Sequence, residues 1–232
     1  MEQATLPAKL TTYLVPLLLV VVVLGFWRSY FLHLEFFGIR AHLHGLVMFA
    51  LMGLLIAQAV LVRTGRMDWH RCIGRASFVV APLVILSMVV MMRGAFADEP
   101  RPLSPEVFQN LTLSFFAFAQ FTLLYALAIL FRRQTPLHAR YMISTGVVVT
   151  GAGSLRIFLF WITGLSNLDA AVTGSYVFLE LVTLALILND LRIGRIRAPF
   201  VLTLALIMGA HVMYWTAADM AWWRALGRWI LG

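Results

Sequence analysis

The sequence predicts an all-α, polytopic membrane protein of about seven transmembrane helices, built as one integral membrane domain over residues 1–232. Three observations carry that prediction. Of the 232 residues, 62% are hydrophobic and only 12% are charged, against about 25% charged in soluble domains. The mean hydropathy is +0.90. The apolar residues also fall in blocks, each near the ~20 residues that an α-helix needs to cross a hydrocarbon core about 30 Å thick. A net charge of +8 beside such blocks is a topogenic signal, and no basic run is interleaved with stacking aromatics. The expected partner is therefore the lipid bilayer and not nucleic acid. The single Cys72 excludes an internal disulfide and any zinc motif built on several cysteines.

The first span is expected over 10–27, after a short segment carrying Glu2 and Lys9. The following Arg28-Ser29-Tyr30-Phe31 offers no small-x-small cleavage site, so the span reads as a retained anchor. Residues 28–41 are aromatic but hold Arg28, His33, Glu35 and Arg40, which suits an interfacial segment. Further spans are expected over 42–62 and 72–92. The 93–106 stretch, with Pro100, Pro102 and Pro105, reads as a solvated loop. Spans then follow over 107–131, 140–163 and 170–191, the last after a short turn at 164–169. Pro199, well placed in a first helical turn, opens the seventh span, 199–219. In the tail, 221–232, Trp222, Leu226 and Trp229 share one helical face and Arg224 and Arg228 lie elsewhere, as in an interfacial anchor.

Seven spans divide the loop charges unevenly. One side collects Lys9 and Arg63, Arg66, Arg71, Arg75, Arg132, Arg133, Arg140, Arg192, Arg195 and Arg197 against Glu2, Asp68 and Asp190. The other holds Arg28, Arg40, Arg93, Arg101, Arg224 and Arg228 against Glu35, Asp98, Glu99, Glu106, Asp169 and Asp219. The positive-inside rule then puts the N-terminus in the cytoplasm and the C-terminus outside. Lys9 is the only lysine, a composition suggesting a GC-rich bacterial genome and so a bacterial inner membrane. With no lysine inside a span, a retinal Schiff base is excluded.

Two formal charges fall inside spans, Arg156 and Glu180. An unpaired charge at a helix centre costs about 2.5–3.5 kcal/mol on the insertion scale, so each needs a partner, a cavity or water. One reading makes them a structural ion pair; the other lines a functional cavity with both. His44 and His211 lie in the outer half and could pair across helices. His42 and His44 point about 200° apart and cannot both face one interior site, and Gln58 marks the His44 face fourteen residues on. His44, Met48 and His211 offer imidazole and soft sulfur suited to Cu(I) or haem, although methionine is also an ordinary gap-filler. His70 and His138 stand at the cytoplasmic edge, either as a facing axial pair for haem, with Arg71, Arg75 and Arg140 for the propionates, or as interfacial histidines among headgroup-binding arginines. Gly146, Thr150, Gly153 and Ser154 form a small-residue surface for close helix packing.

The run His42-x-His44-Gly45, Gln58, Arg63, His70-Arg71-x-x-Gly74-Arg75 resembles a group of uncharacterised bacterial multi-pass membrane proteins, which brings no established activity. A fainter likeness is to the six-helix di-haem cytochromes b, in which four successive helices each supply one axial histidine. That likeness implies haem ligation by His44, His70 and His138, with Gln109 and Asn110 standing where the fourth ligand would be unless His211 substitutes. The readings left open are three. One is a buried His/Arg/Glu site holding haem b or copper for electron transfer or metal handling, with a redox partner. The second is a transporter or small-molecule binding protein using an Arg156/Glu180 cavity. The third is a non-catalytic assembly or accessory subunit. The sequence does not decide between enzyme and non-enzyme, nor the oligomeric state.

Overall fold

The computed structural model describes residues 5–97, 102–164, 166–194 and 196–231. Glu2, Asp98, Glu99, Pro100, Arg101, Arg195 and Gly232, and the side chain of Lys9, lie outside the described residues. Among the described residues the chain is helical without strands: α1 (Thr5–Ser29), α2 (Ile39–Arg63), α3 (Met67–Gly74), α4 (Ser77–Ala95), α5 (Pro105–Leu130), α6 (Thr135–Ile157), α7 (Leu168–Arg192), α8 (Ala198–Thr216) and α9 (Ala221–Leu231). Seven helical segments are long and apolar enough to cross a membrane, and the protein is a multi-pass helical membrane protein. We call the face holding the α1 N-terminus proximal and the other distal.

The seven expected spans are present, with shifted edges. The second helix begins at Ile39 rather than His42, and α6 at Thr135 rather than Arg140. The expected third span splits. Met67–Gly74 forms its own short amphipathic helix, with Trp69 60% exposed, and α4 follows after bonds of the tight i→i+3 kind from Arg75 N to Cys72 O and from Ala76 N to Ile73 O. The 28–41 segment contracts to a 3₁₀ stretch, Phe31–Phe36, whose residues are not buried.

Helix α6 is the axis of the bundle, packed by α1, α5, α7 and α8. Its sequence permits this because Gly146, Gly151 and Gly153 leave room on several faces, and Thr145, Thr150 and Ser154 fold their hydroxyls back onto the carbonyls of Met142, Gly146 and Gly151. Such back-bonding satisfies a polar group without a partner helix. The expected small-residue surface is where α1 comes closest. A Cβ added at Gly25 would collide with the backbone of Gly153, and one added at Gly153 would lie 2.7 Å from Val22 Cα. Contact this close is how helices gain van der Waals attraction in lipid, where no hydrophobic force draws them together.

Two further features position the site. At its distal end α6 widens into a π-turn, Phe158–Ile162, with Thr163 N bonded to Phe158 O at 2.8 Å. Arg28 Nη1 donates to Phe160 O of that turn at 2.9 Å, tying it to α1. The tail helix α9 caps the distal end of α5. Trp223 is fully buried and its Nε1 donates to Phe108 O at 2.8 Å, while Gly227 packs on the Phe108 ring. Trp222 and Trp229, expected as the anchor face, are 56% and 81% exposed; the residue that fastens the tail to the protein is Trp223.

Candidate binding cavity in the distal half

A cavity of about 690 Å³ occupies the distal half of the bundle, walled by α1, α2, α4, α5, α6 and α7. Its rim is aromatic, from Tyr30, Phe37, Phe96 and Phe160, and its floor reaches Leu19, Met52 and Val148. From Ser29 to Leu19 is ten helical residues and from His44 to Met52 is eight, so the cavity runs ~12–15 Å inward, about half of a 30 Å hydrocarbon core. Met48, Met52, Met88, Met91 and Met92 all line it. Long unbranched thioethers suit a wall that must fit an irregular apolar body.

Three polar residues line the outer part of this space. Arg156 lines it from the last turn of α6. One guanidinium nitrogen donates to Ala152 O of its own helix at 3.0 Å, and the Phe26 ring lies beneath at 4.1 Å from centroid to Cζ, well inside cation–π range. Among the described residues no carboxylate lies within 4.0 Å of it. His44, on α2, pairs its Nδ1 with Ser87 Oγ at 2.9 Å. Because the Ser87 hydroxyl donates to Val84 O at 2.8 Å, the shared proton sits on His44 Nδ1 and leaves Nε2 with its lone pair. Arg156 is within electrostatic range of that ring. Ser29 presents a buried hydroxyl with no hydrogen-bond partner among the described residues.

The expected Arg156–Glu180 pair is not formed. Glu180 instead accepts from His211 Nδ1 at 3.0 Å across the α7–α8 contact, and the His211 ring stacks on Tyr176 at 4.8 Å. The expected His44–His211 pairing is likewise not assembled. His44 and Met48 line the cavity and His211 does not. Tyr176, which does line it, packs on His211. His42 bonds to Tyr30 Oη at 2.6 Å, consistent with the opposed directions of His42 and His44.

At the proximal face, His70 and His138 come within electrostatic range of each other, and each ring has its Nδ1 engaged. The Gln58 side-chain amide donates to His70 O at 3.1 Å and to His70 Nδ1, while its oxygen accepts from Gly74 N at 3.1 Å. Gln58 therefore latches α3 onto α2; it does not mark the His44 site. An Nδ1 that accepts puts the proton of His70 on Nε2, the nitrogen an axial ligand would need. His138 Nδ1 donates to Ala128 O at 2.8 Å. Arg140, expected to face a propionate, is 3% exposed and forms a two-pronged bridge to Asp190, Nε to Oδ2 at 2.8 Å and Nη2 to Oδ1 at 2.6 Å. Gln109 is bonded to Asp169 at 3.5 Å. The donor set thus does not fit bis-histidine haem ligation at either face, and no group of three or more His, Cys, Asp or Glu is placed to hold a metal among the described residues.

The fold and the cavity define a polytopic helical membrane protein with a largely apolar pocket in the distal half of its bundle. Comparison of the chain with protein-family models, with curated proteins and with solved structures finds no match.

Proposed function

We propose that this protein is a membrane-embedded binding or transport protein for a small amphipathic molecule, which occupies the distal cavity with its polar end against Arg156. The carrying observation is a guanidinium without a carboxylate partner among the described residues, beside about 690 Å³ of largely apolar space. An intramembrane arginine is costly unless something compensates it, and cavities of 300–1,000 Å³ with few convergent polar groups are the usual form of ligand sites. The same observation disfavours copper at His44 and Met48, since a metal cation would share the pocket with a positive charge. The account retains the small-molecule reading of the sequence with Arg156 alone; Glu180 belongs to His211.

We place the protein in a bacterial inner membrane, on its arginine-rich, lysine-poor composition, with its N-terminus cytoplasmic, on the loop charges. The buried Arg140–Asp190 pair removes one charge of each sign from the cytoplasmic count and leaves the excess unchanged. A reporter fused after α9 and active only outside the cytoplasm is expected to be active; cytoplasmic activity would overturn the topology. The binding reading is tested by native mass spectrometry of protein released from membranes into mild detergent. A retained non-covalent adduct is expected in the wild type and its loss in Ala117→Trp, which fills the cavity from α5. An adduct unchanged by Ala117→Trp in a folded variant would refute the assignment of the cavity.

A further inference from the structure

The polarity of the cavity runs in the same direction as that of a lipid in the distal leaflet. His44 and Arg156 sit toward the distal end, and the floor at Leu19, Met52 and Val148 lies near the middle of the bundle. A molecule seated there keeps its head at the interfacial level and its chain at hydrocarbon depth, so it can pass between leaflet and pocket without inverting. The chemistry of the head follows from Arg156 and His44. Arg156 offers the guanidinium donors not spent on Ala152 O, in a fork suited to two oxygens of one oxyanion. His44 offers an Nε2 lone pair, because its Nδ1 is held by Ser87.

Neutral and cationic heads fit poorly. A quaternary ammonium would meet the guanidinium, and a simple alcohol would leave its positive charge uncompensated in a low-dielectric site, where an unpaired charge is most costly. We infer that the cavity takes a single-chain lipid anion, whose head carries an anionic oxygen bound by Arg156 and whose chain fills the floor at Leu19, Met52 and Val148. This rests on the cavity being a binding site. A carboxylate head uses Arg156. A phosphate monoester that keeps one P–OH also satisfies His44 Nε2.

The test is a displacement titration on protein in zwitterionic lipid nanodiscs, with 11-(dansylamino)undecanoate as fluorescent probe and four competitors of equal chain length: dodecanoate, dodecyl phosphate, dodecanol and dodecyltrimethylammonium. The two anions are expected to displace the probe at concentrations at least about tenfold below the alcohol, and the cation to fail. Stronger displacement by the phosphate assigns the phosphate source, and equal displacement the carboxylate. Arg156→Met should abolish the preference for anion over alcohol, and Arg156→Lys should keep part of it. If dodecanol competes as well as dodecanoate, or Arg156→Met retains the preference, the anion assignment fails while the cavity remains a binding site. If neither the dansyl probe nor brominated dodecanol, read by quenching of tryptophan fluorescence, binds saturably, both fail.

Discussion

The buried Arg140–Asp190 bridge gives the sharpest stability prediction. Asp190 is 1% exposed and Arg140 3%. Arg140 also donates to Pro136 O at 3.0 Å and lies 5.8 Å from the Phe200 ring centroid, so the guanidinium joins the start of α6 to the end of α7 and the start of α8. Asp190→Leu leaves that cation buried and unpaired, a change that costs about 3–5 kcal/mol. On the scale of ~2–4 °C per kcal/mol for a chain of this length, the melting midpoint should fall by roughly 6–20 °C. Arg140→Met combined with Asp190→Leu removes both charges. Apolar replacement of a whole buried pair is often neutral or stabilising, so the double variant should recover most of the loss. The assay is thermal unfolding by intrinsic fluorescence in one detergent at one scan rate. A fall of less than ~2 °C for Asp190→Leu, or a double variant as unstable as the sum of the singles, would refute the argument that the pair is a desolvated unit.

Three other perturbations address separate joints of the structure. Gly153→Val sets a side chain against the α1 backbone at Val22 and should cost about 1–3 kcal/mol as overpacking, read as a lowered melting midpoint; an unchanged midpoint would mean that α1 can withdraw without loss. Trp223→Ala removes the fully buried anchor of α9 and, at about 3–5 kcal/mol for such a truncation, should make the tail cleavable by added protease in detergent, whereas continued protection would refute its role. A double-mutant cycle over Glu180 and His211 should give a coupling of at least ~0.5 kcal/mol, and the Arg156/Glu180 cycle should be additive; the reverse pattern would restore the pairing expected from the sequence.

The helices were legible because lipid imposes a length on each apolar block, and Pro199 marks a first turn; Pro105, expected in a solvated loop, opens α5. The edges were less so, for physical reasons. Arg140 looked like a loop residue because its partner Asp190 is fifty residues away, and a charge neutralised by another charge at the same depth can lie inside the boundary. The third span looked continuous because hydropathy does not register the tight turn at Arg75–Ala76. Within the site, the importance of Arg156 was visible from its cost in the membrane, but its environment was not. Arg156, Glu180 and His211 are three polar residues on α6, α7 and α8, and the carboxylate can satisfy only one suitor in good geometry. Which one depends on the rotation of α7 about its axis, set by packing such as Phe158 against Gly174, and no periodicity in the sequence encodes that. The His44–Gln58 spacing was sound as a statement about helix faces, but fourteen residues are ~21 Å of rise, enough to carry Gln58 to a different neighbour at the other end of the bundle.

The central claim is that the distal cavity is a site for an amphipathic molecule. It is tested most directly by equilibrium titration of 11-(dansylamino)undecanoate into nanodiscs holding wild-type protein, the Ala117→Trp variant or no protein. The account predicts saturable binding of one probe per chain in the wild type, reduced to the level of empty nanodiscs in Ala117→Trp. Partition into lipid alone in the wild type, or equal saturable binding by the filled variant, would contradict it.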